Sequence, residues 1–134
     1  MSCTITQAAR RAGLTAHTLR YYDKEGLLPF VDRSPSGFRA FKESDFEWLS
    51  VITCLKSTGM PIRDIRQFID WCVQGDTTLA DRLAMFRRQK SIVEQQISLL
   101  QKHMEKINHK IRYYELACEA GTEDAVRGIP CDEL

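Results

Sequence analysis

Apolar residues in the second half of the chain recur at alternating steps of four and three. Leu79, Leu83 and Phe86 begin the series, and Val93, Ile97, Leu100, Met104, Ile107, Ile111, Tyr114 and Cys118 continue it. Lys90 is the one strongly polar residue on this line, and no Gly or Pro falls between Leu79 and Cys118. Such a pattern is a heptad seam. At about 1.5 Å of rise per residue, the helix it predicts is roughly 60 Å long. The rest of so short a chain has little with which to cover that stripe, so the pattern calls for a second copy. The expectation is an obligate homodimer joined through a coiled coil; the plainer alternative is one long helix of a monomeric bundle. Met85, Ile92 and Leu99 add a second apolar line to the first half of the helix. A wider face there implies a further packing partner, either the chain's own N-terminal region or its copy's.

Ahead of the seam, shorter periodic stretches alternate with turn signals. Thr6 is a candidate N-cap for a first helix that Gly13 stops, and Thr15 caps a second, Ala16 to Lys24, which gives way at Glu25-Gly26-Leu27. Two short helices joined through a glycine turn make a helix-turn-helix. The second helix crowds His17, Thr18, Arg20, Tyr21 and Tyr22 into barely two turns. These are the hydrogen-bonding and cationic groups that phosphates and base edges require. Leu19 and one of the two tyrosines are expected in the core instead. Ser34-Pro35-Ser36-Gly37 separates two extended runs, Phe30 to Arg33 and Phe38 to Phe41, and so predicts a hairpin with Arg33 and Arg39 flanking its loop. A hairpin directly after a recognition helix is a wing, and two arginines around its loop suit phosphate contact.

A third helix is expected over Glu43 to Ser57, with Trp48, Val51, Ile52 and Leu55 on its main apolar arc and Leu49 and Phe46 at the side. Gly59-Met60-Pro61 breaks it and opens a fourth, Ile62 to Val73, whose Ile65, Phe68, Ile69 and Cys72 share one face. Thr78 or Asp76 is the expected N-cap of the long helix. The fold class is therefore mainly α, a winged helix-turn-helix head followed by a dimerising coiled-coil helix. Three regions follow: a DNA-binding head over 1–75, the coiled-coil helix over 76–119, and an acidic, solvated tail over 120–134.

The 134 residues carry a net charge of only +1, but unevenly. Residues 1–42 hold seven Lys/Arg against three Asp/Glu, while residues 119–134 hold one against five. A mildly basic head that is duplicated by dimerisation is compatible with nucleic acid. The N-terminus has no apolar secretory segment and nothing approaches a membrane-spanning run, so a cytoplasmic protein is expected. Cys3, Cys54, Cys72, Cys118 and Cys131 are odd in number and scattered, which favours reduced thiols over a disulfide framework. No nucleophile, base and orienter set, phosphate loop or metal triad argues for an enzyme, and no cofactor is expected. A coiled-coil adaptor without DNA binding is the rival reading.

Taken together, the chain resembles MerR-family transcription regulators. The stretches that carry the likeness are Ile5-Thr6-Gln7-Ala8-Ala9, Thr18-Leu19-Arg20-Tyr21-Tyr22 leading to Gly26-Leu27-Leu28, the wing Ser36-Gly37-Phe38-Arg39-Ala40-Phe41, the turn Gly59-Met60, and the long helix. The resemblance implies homodimers with antiparallel long helices and a winged head at each end. It implies binding to promoter DNA whose spacer is too long for RNA polymerase, and a distortion of that DNA which brings the promoter elements into register. Carried onto this chain, it makes Thr18, Arg20, Tyr21 and Tyr22 candidate DNA contacts, with Arg39 and Arg33 on the wing and Lys56 and Arg63 around the Gly59 turn.

For the signal, Cys54 is the sharper candidate. On a helical wheel it projects near Glu47 and Ser50, away from the Trp48, Ile52 and Leu55 arc, a placement that suits an accessible sulfur more than a packed one. Cys54 to Met60, with the Ile-Arg-Asp-Ile-Arg and Asp-Thr-Thr stretches that follow, resembles the thiol- or aldehyde-responsive AdhR/NmlR branch. That likeness implies a single reactive cysteine at this position. The alternative is a metal-responsive regulator using Cys118 and Cys131, since two thiolates can hold a soft ion, although twelve residues between them exceed the family's loop.

Overall fold

The computed structural model describes residues 2–134, the side chain of Cys131 excepted. Five α-helices and one two-stranded hairpin make up most of it: α1 (Ile5–Ala12), α2 (Ala16–Lys24), β1 (Asp32–Arg33), β2 (Arg39–Ala40), α3 (Glu43–Ser57), α4 (Ile62–Gln74) and α5 (Leu79–Ala120). Residues 1–89 and 90–134 form two units.

In the first unit, short helices are fixed by their ends. Thr4, not Thr6, caps α1: its hydroxyl accepts from the Gln7 amide while the Gln7 side chain accepts from the Thr4 amide, a reciprocal box. Gly13 closes that helix in the left-handed region (φ 71°), and Thr15 caps α2 through the Thr18 amide. Ala8 and Ala9 of α1 are buried together with Leu19 and Tyr22 of α2, Leu27, Leu28 and Phe41, while α3 and α4 add Leu49, Ile52, Leu55, Ile65, Phe68 and Ile69. The face of α3 is therefore rotated from the expected arc. Leu49 is fully in the core, whereas Trp48 and Val51 are half-buried at its edge. Trp48 instead stacks on Phe30 at 5.4 Å, which lets a large indole cover the core from outside.

The hairpin is pinned from three sides. Asp32 pairs with Ala40 and Arg33 with Arg39, and Phe41 exchanges both backbone hydrogen bonds with Cys3 at 2.7 and 2.9 Å. Asp45, a carboxylate 1% exposed, accepts from the Lys42 amide (2.9 Å) and pairs with Lys42 Nζ (3.0 Å), which also donates to the Phe30 carbonyl. That pairing holds the Lys42 pKa above its ordinary value. One buried acid thus starts α3 and ties it to the hairpin.

Neither Asp76 nor Thr78 caps α5 with its side chain. A 3-10 turn, Asp76–Thr78, leads into the helix, and the Thr78 hydroxyl turns back to Trp71 O (2.6 Å) and Gly75 O (2.8 Å). Arg82 follows it, donating to Thr78 Oγ1 and to Gly75 O. Met85 and Gln89 are buried on the head, and Phe86 meets Phe68 edge-on at 5.2 Å. The wider apolar face is thus answered at its start by the chain's own head, and Phe86, expected in the seam, is shared with it.

In the second unit the seam faces outward. Ile97, Leu100, Met104, Ile107 and Ile111 are each at least half exposed, Leu100 the most at 65%, and Val93 is half-buried. Ile92 and Leu99 are also exposed. The tail is less solvated than its acidity suggests. After Gly121 (φ 77°) it forms turns in which Val126 is buried, and its Arg127, Gly128 and Ile129 line a cleft of about 300 Å³ against Lys106, His109 and Tyr113. Among the described residues no helix is long and apolar enough to cross a membrane.

Candidate nucleic-acid interface and sensor thiol

The Thr15 cap sets the pitch of α2, and its buried Leu19 and Tyr22 decide which side chains are left outside. His17, Arg20 and Tyr21 are exposed, and Arg20 has no ion-pair or hydrogen-bond partner among the described residues. Thr18 is half-buried, with its hydroxyl 2.9 Å from that of Thr15. The tyrosine pair divides cleanly: Tyr21 is 44% exposed and Tyr22 5%. Burial pushes the Tyr22 hydroxyl pKa up. Of the two tyrosines, one of which was expected in the core, Tyr22 is the one whose ring packs there.

Arg20 and Arg39 line one cleft of about 290 Å³ with Thr4, Ile5 and Phe38. The first turn of α1, the exposed face of α2 and the wing meet there. Phe38 at the wing is 73% exposed, an aromatic left in solvent at the edge of a cationic cleft. In sequence it is one residue of the wing motif, with no charge or hydrogen-bonding group to mark it.

The wing arginines do not point freely outward. Arg39 donates from Nε (2.7 Å) and approaches with Nη2 (2.5 Å) the same Asp23 oxygen, and Arg33 Nη2 reaches that oxygen at 3.3 Å while its Nη1 donates to Gly37 O. Asp23, on the last turn of α2, carries no sequence signal for this role, because a contact to residues ten and sixteen positions away leaves no periodic trace. Lys56 is exposed at the end of α3, and Arg63 is exposed near Asp64 at 3.9 Å. Both lie on either side of the Gly59 turn, apart from the α2 and wing cleft in sequence.

Cys54 is exposed. Its carbonyl accepts from the Thr58 amide at 3.2 Å, and Thr58 Oγ1 accepts from Gln89 Nε2 of α5 at 2.7 Å while donating to Leu55 O. Cys72 differs: burial raises its pKa, an effect Arg82 opposes from 3.9 Å. Cys118 is exposed on α5, and the side chain of Cys131 lies outside the described residues.

Two family descriptions match this chain, "MerR HTH family regulatory protein" over residues 3–70 and "MerR, DNA binding" over residues 46–112. The chain belongs to the MerR family. This MerR-family protein is a DNA-binding transcriptional regulator. It is 41% identical over 126 residues to an HTH-type transcriptional regulator of Haemophilus influenzae, covering 94% of this chain and 93% of the relative. It is 40% identical over 78 residues to AdhR of Bacillus subtilis, covering 58% of this chain and 56% of AdhR. Among solved structures it is similar to HiNmlR, "a MerR family regulator lacking the sensor domain, bound to promoter DNA", with a TM-score of 0.87, 41% identity and coverage of 93% and 99% of the two chains. These likenesses fit the AdhR/NmlR-like branch, and the relatives are regulators, not enzymes.

Proposed function

We propose that this MerR-family regulator works in the cytoplasm as a homodimer that binds promoter DNA and distorts an overlong spacer for RNA polymerase. The exposed seam carries the pairing: a line of half-exposed Ile, Leu and Met side chains at heptad spacing is costly in water and fits a second copy of itself. In this reading residues 1–75 are the DNA-binding head, residues 76–119 the coiled-coil helix and residues 120–134 the tail. Two heads on one duplex can supply the several kcal/mol, as an order of magnitude, that sharp DNA bending costs.

Arg20, Tyr21 and Thr18 of α2 face the groove, while Arg33 and Arg39 meet the flanking backbone with the N–H groups that Asp23 leaves open. Lys56 and Arg63 are supplementary phosphate contacts. The exposed guanidinium of Arg20, without a partner among the described residues and lining the wing cleft, is the main support for this face. Arg20→Ala is expected to weaken operator binding by about five- to a hundred-and-fiftyfold, the effect of about 1–3 kcal/mol per lost contact. Fluorescence anisotropy on a labelled duplex reads this, and wild-type affinity in the variant would reject α2 as the reading helix.

Cys54 is the proposed sensor. Its thiolate adds to an aldehyde carbonyl, forming a C–S bond while the oxygen takes a proton from water. HiNmlR is described as lacking a sensor domain, which suits a signal received within the head. From Cys54 the backbone leads one turn on to Thr58, and Gln89 carries that contact into α5. Cys54→Ser is expected to abolish the transcriptional response to formaldehyde in a promoter reporter, with operator affinity held within about twofold. An undiminished response would remove the thiol from the account.

A further inference from the structure

We propose that Asp23 is a specificity determinant, a positioning residue that fixes the wing against α2 so that the wing arginines meet phosphates in one register only. The inference rests on the reading of α2 and the wing as the DNA face. Arg33 and Arg39 are direct cross-strand partners on a two-residue ladder, and like charges placed opposite each other repel. A single Asp23 oxygen receives Arg39 through Nε and Nη2 and Arg33 through Nη2, and so turns a repelling pair into a tie between strand and helix. The Asp23 side chain is 21% exposed and that of Arg39 23%, so solvent screens the tie only in part.

This geometry separates specificity from affinity. Phosphate contacts carry no sequence information, but they set where the groove-reading helix sits on the duplex. A wing held to α2 can satisfy its phosphates only when α2 is in its matching position. A released wing satisfies them on any sequence. Asp23 also cancels one of the two wing charges, which lowers non-specific attraction to the backbone.

The test is anisotropy with the full chain on two duplexes over a salt series: one selected by the wild-type chain from a random pool, and a scrambled duplex of the same composition. For Asp23→Asn the expected result is a preference reduced at least about tenfold, with scrambled DNA bound as tightly as by wild type or more tightly. The salt slope should steepen by about 1–2, since each further phosphate contact adds about 0.9. An unchanged preference, or a parallel weakening on both duplexes, overturns the proposal. If Asp23→Asn does not fold, Arg39→Lys serves, because it keeps the charge but cannot fork onto the carboxylate. It should lose preference at unchanged salt slope, and wild-type preference in that variant overturns the proposal equally. Arg20→Ala, run alongside, separates the two failures: if it keeps wild-type preference, the assignment of α2 is at fault and not the role of Asp23.

Discussion

Aspartate at both Leu100 and Ile107 is expected to leave the head folded and to reduce operator affinity by about 10²- to 10³-fold. Both side chains are more than half exposed in the single chain, so their own fold loses little when they become polar. In a self-paired seam each substitution occurs twice and buries charge against an apolar partner, which disfavours pairing strongly. Without pairing, the second head no longer binds as an intramolecular event. Linkage of two binding units contributes about 10²–10⁴ in apparent affinity, and that factor disappears. Gel-shift titration with circular dichroism on the same samples reads both halves of the expectation. A variant that stays folded and binds as wild type would show that the seam has another purpose.

Phe41→Ala is expected to cost about 3–5 kcal/mol, the range for truncating a fully buried aromatic. Phe41 heads the fully buried side chains by volume, and its backbone links the hairpin to Cys3, just ahead of the α1 cap. Against a total stability of about 5–15 kcal/mol for a typical domain, that loss takes the head close to unfolding at ordinary temperature. Urea denaturation followed by the Trp48 and Trp71 fluorescence measures it. A midpoint shift equivalent to less than about 1 kcal/mol would mean that the hairpin is not seated on the core through this ring.

The contrast between these two sites shows what the sequence made legible. The seam was readable because a helix repeats: every position of α5 has the same relation to its neighbours three and four away. The turns at Gly13, Gly59 and Pro61 were readable because glycine and proline act on their own backbone, and α2, α3 and α4 fall where those signals put them. Local signals also misled where two candidates competed. Thr4 caps α1 in place of Thr6 because Gln7, three residues on, can return the bond. Leu49, at 1% exposure, takes the core position on α3, while the indole of Trp48 stacks on Phe30 at the edge.

Contacts across the chain left no such trace. The turning of Arg33 and Arg39 onto Asp23 depends on where the hairpin lands, and so does the burial of Asp45 under Lys42. Burial of Tyr22 over Tyr21 needed only the true phase of α2, yet both tyrosines are equally apt for either role when read alone. The tail misleads by composition: five acids in sixteen residues suggest a solvated end, yet Val126 is buried and Arg127 to Ile129 line a cleft with residues of α5. The candidate contact residues are thus legible in sequence, while the ion pairs that hold two of them are visible only in the fold.

Sedimentation equilibrium of the 134-residue chain, alone and with one equivalent of a single operator duplex per dimer, addresses the pairing of heads most directly. The expected result is a species of twice the chain mass at micromolar concentration, and a complex of two chains on one duplex. A monomer in solution that loads one chain per duplex would contradict the account.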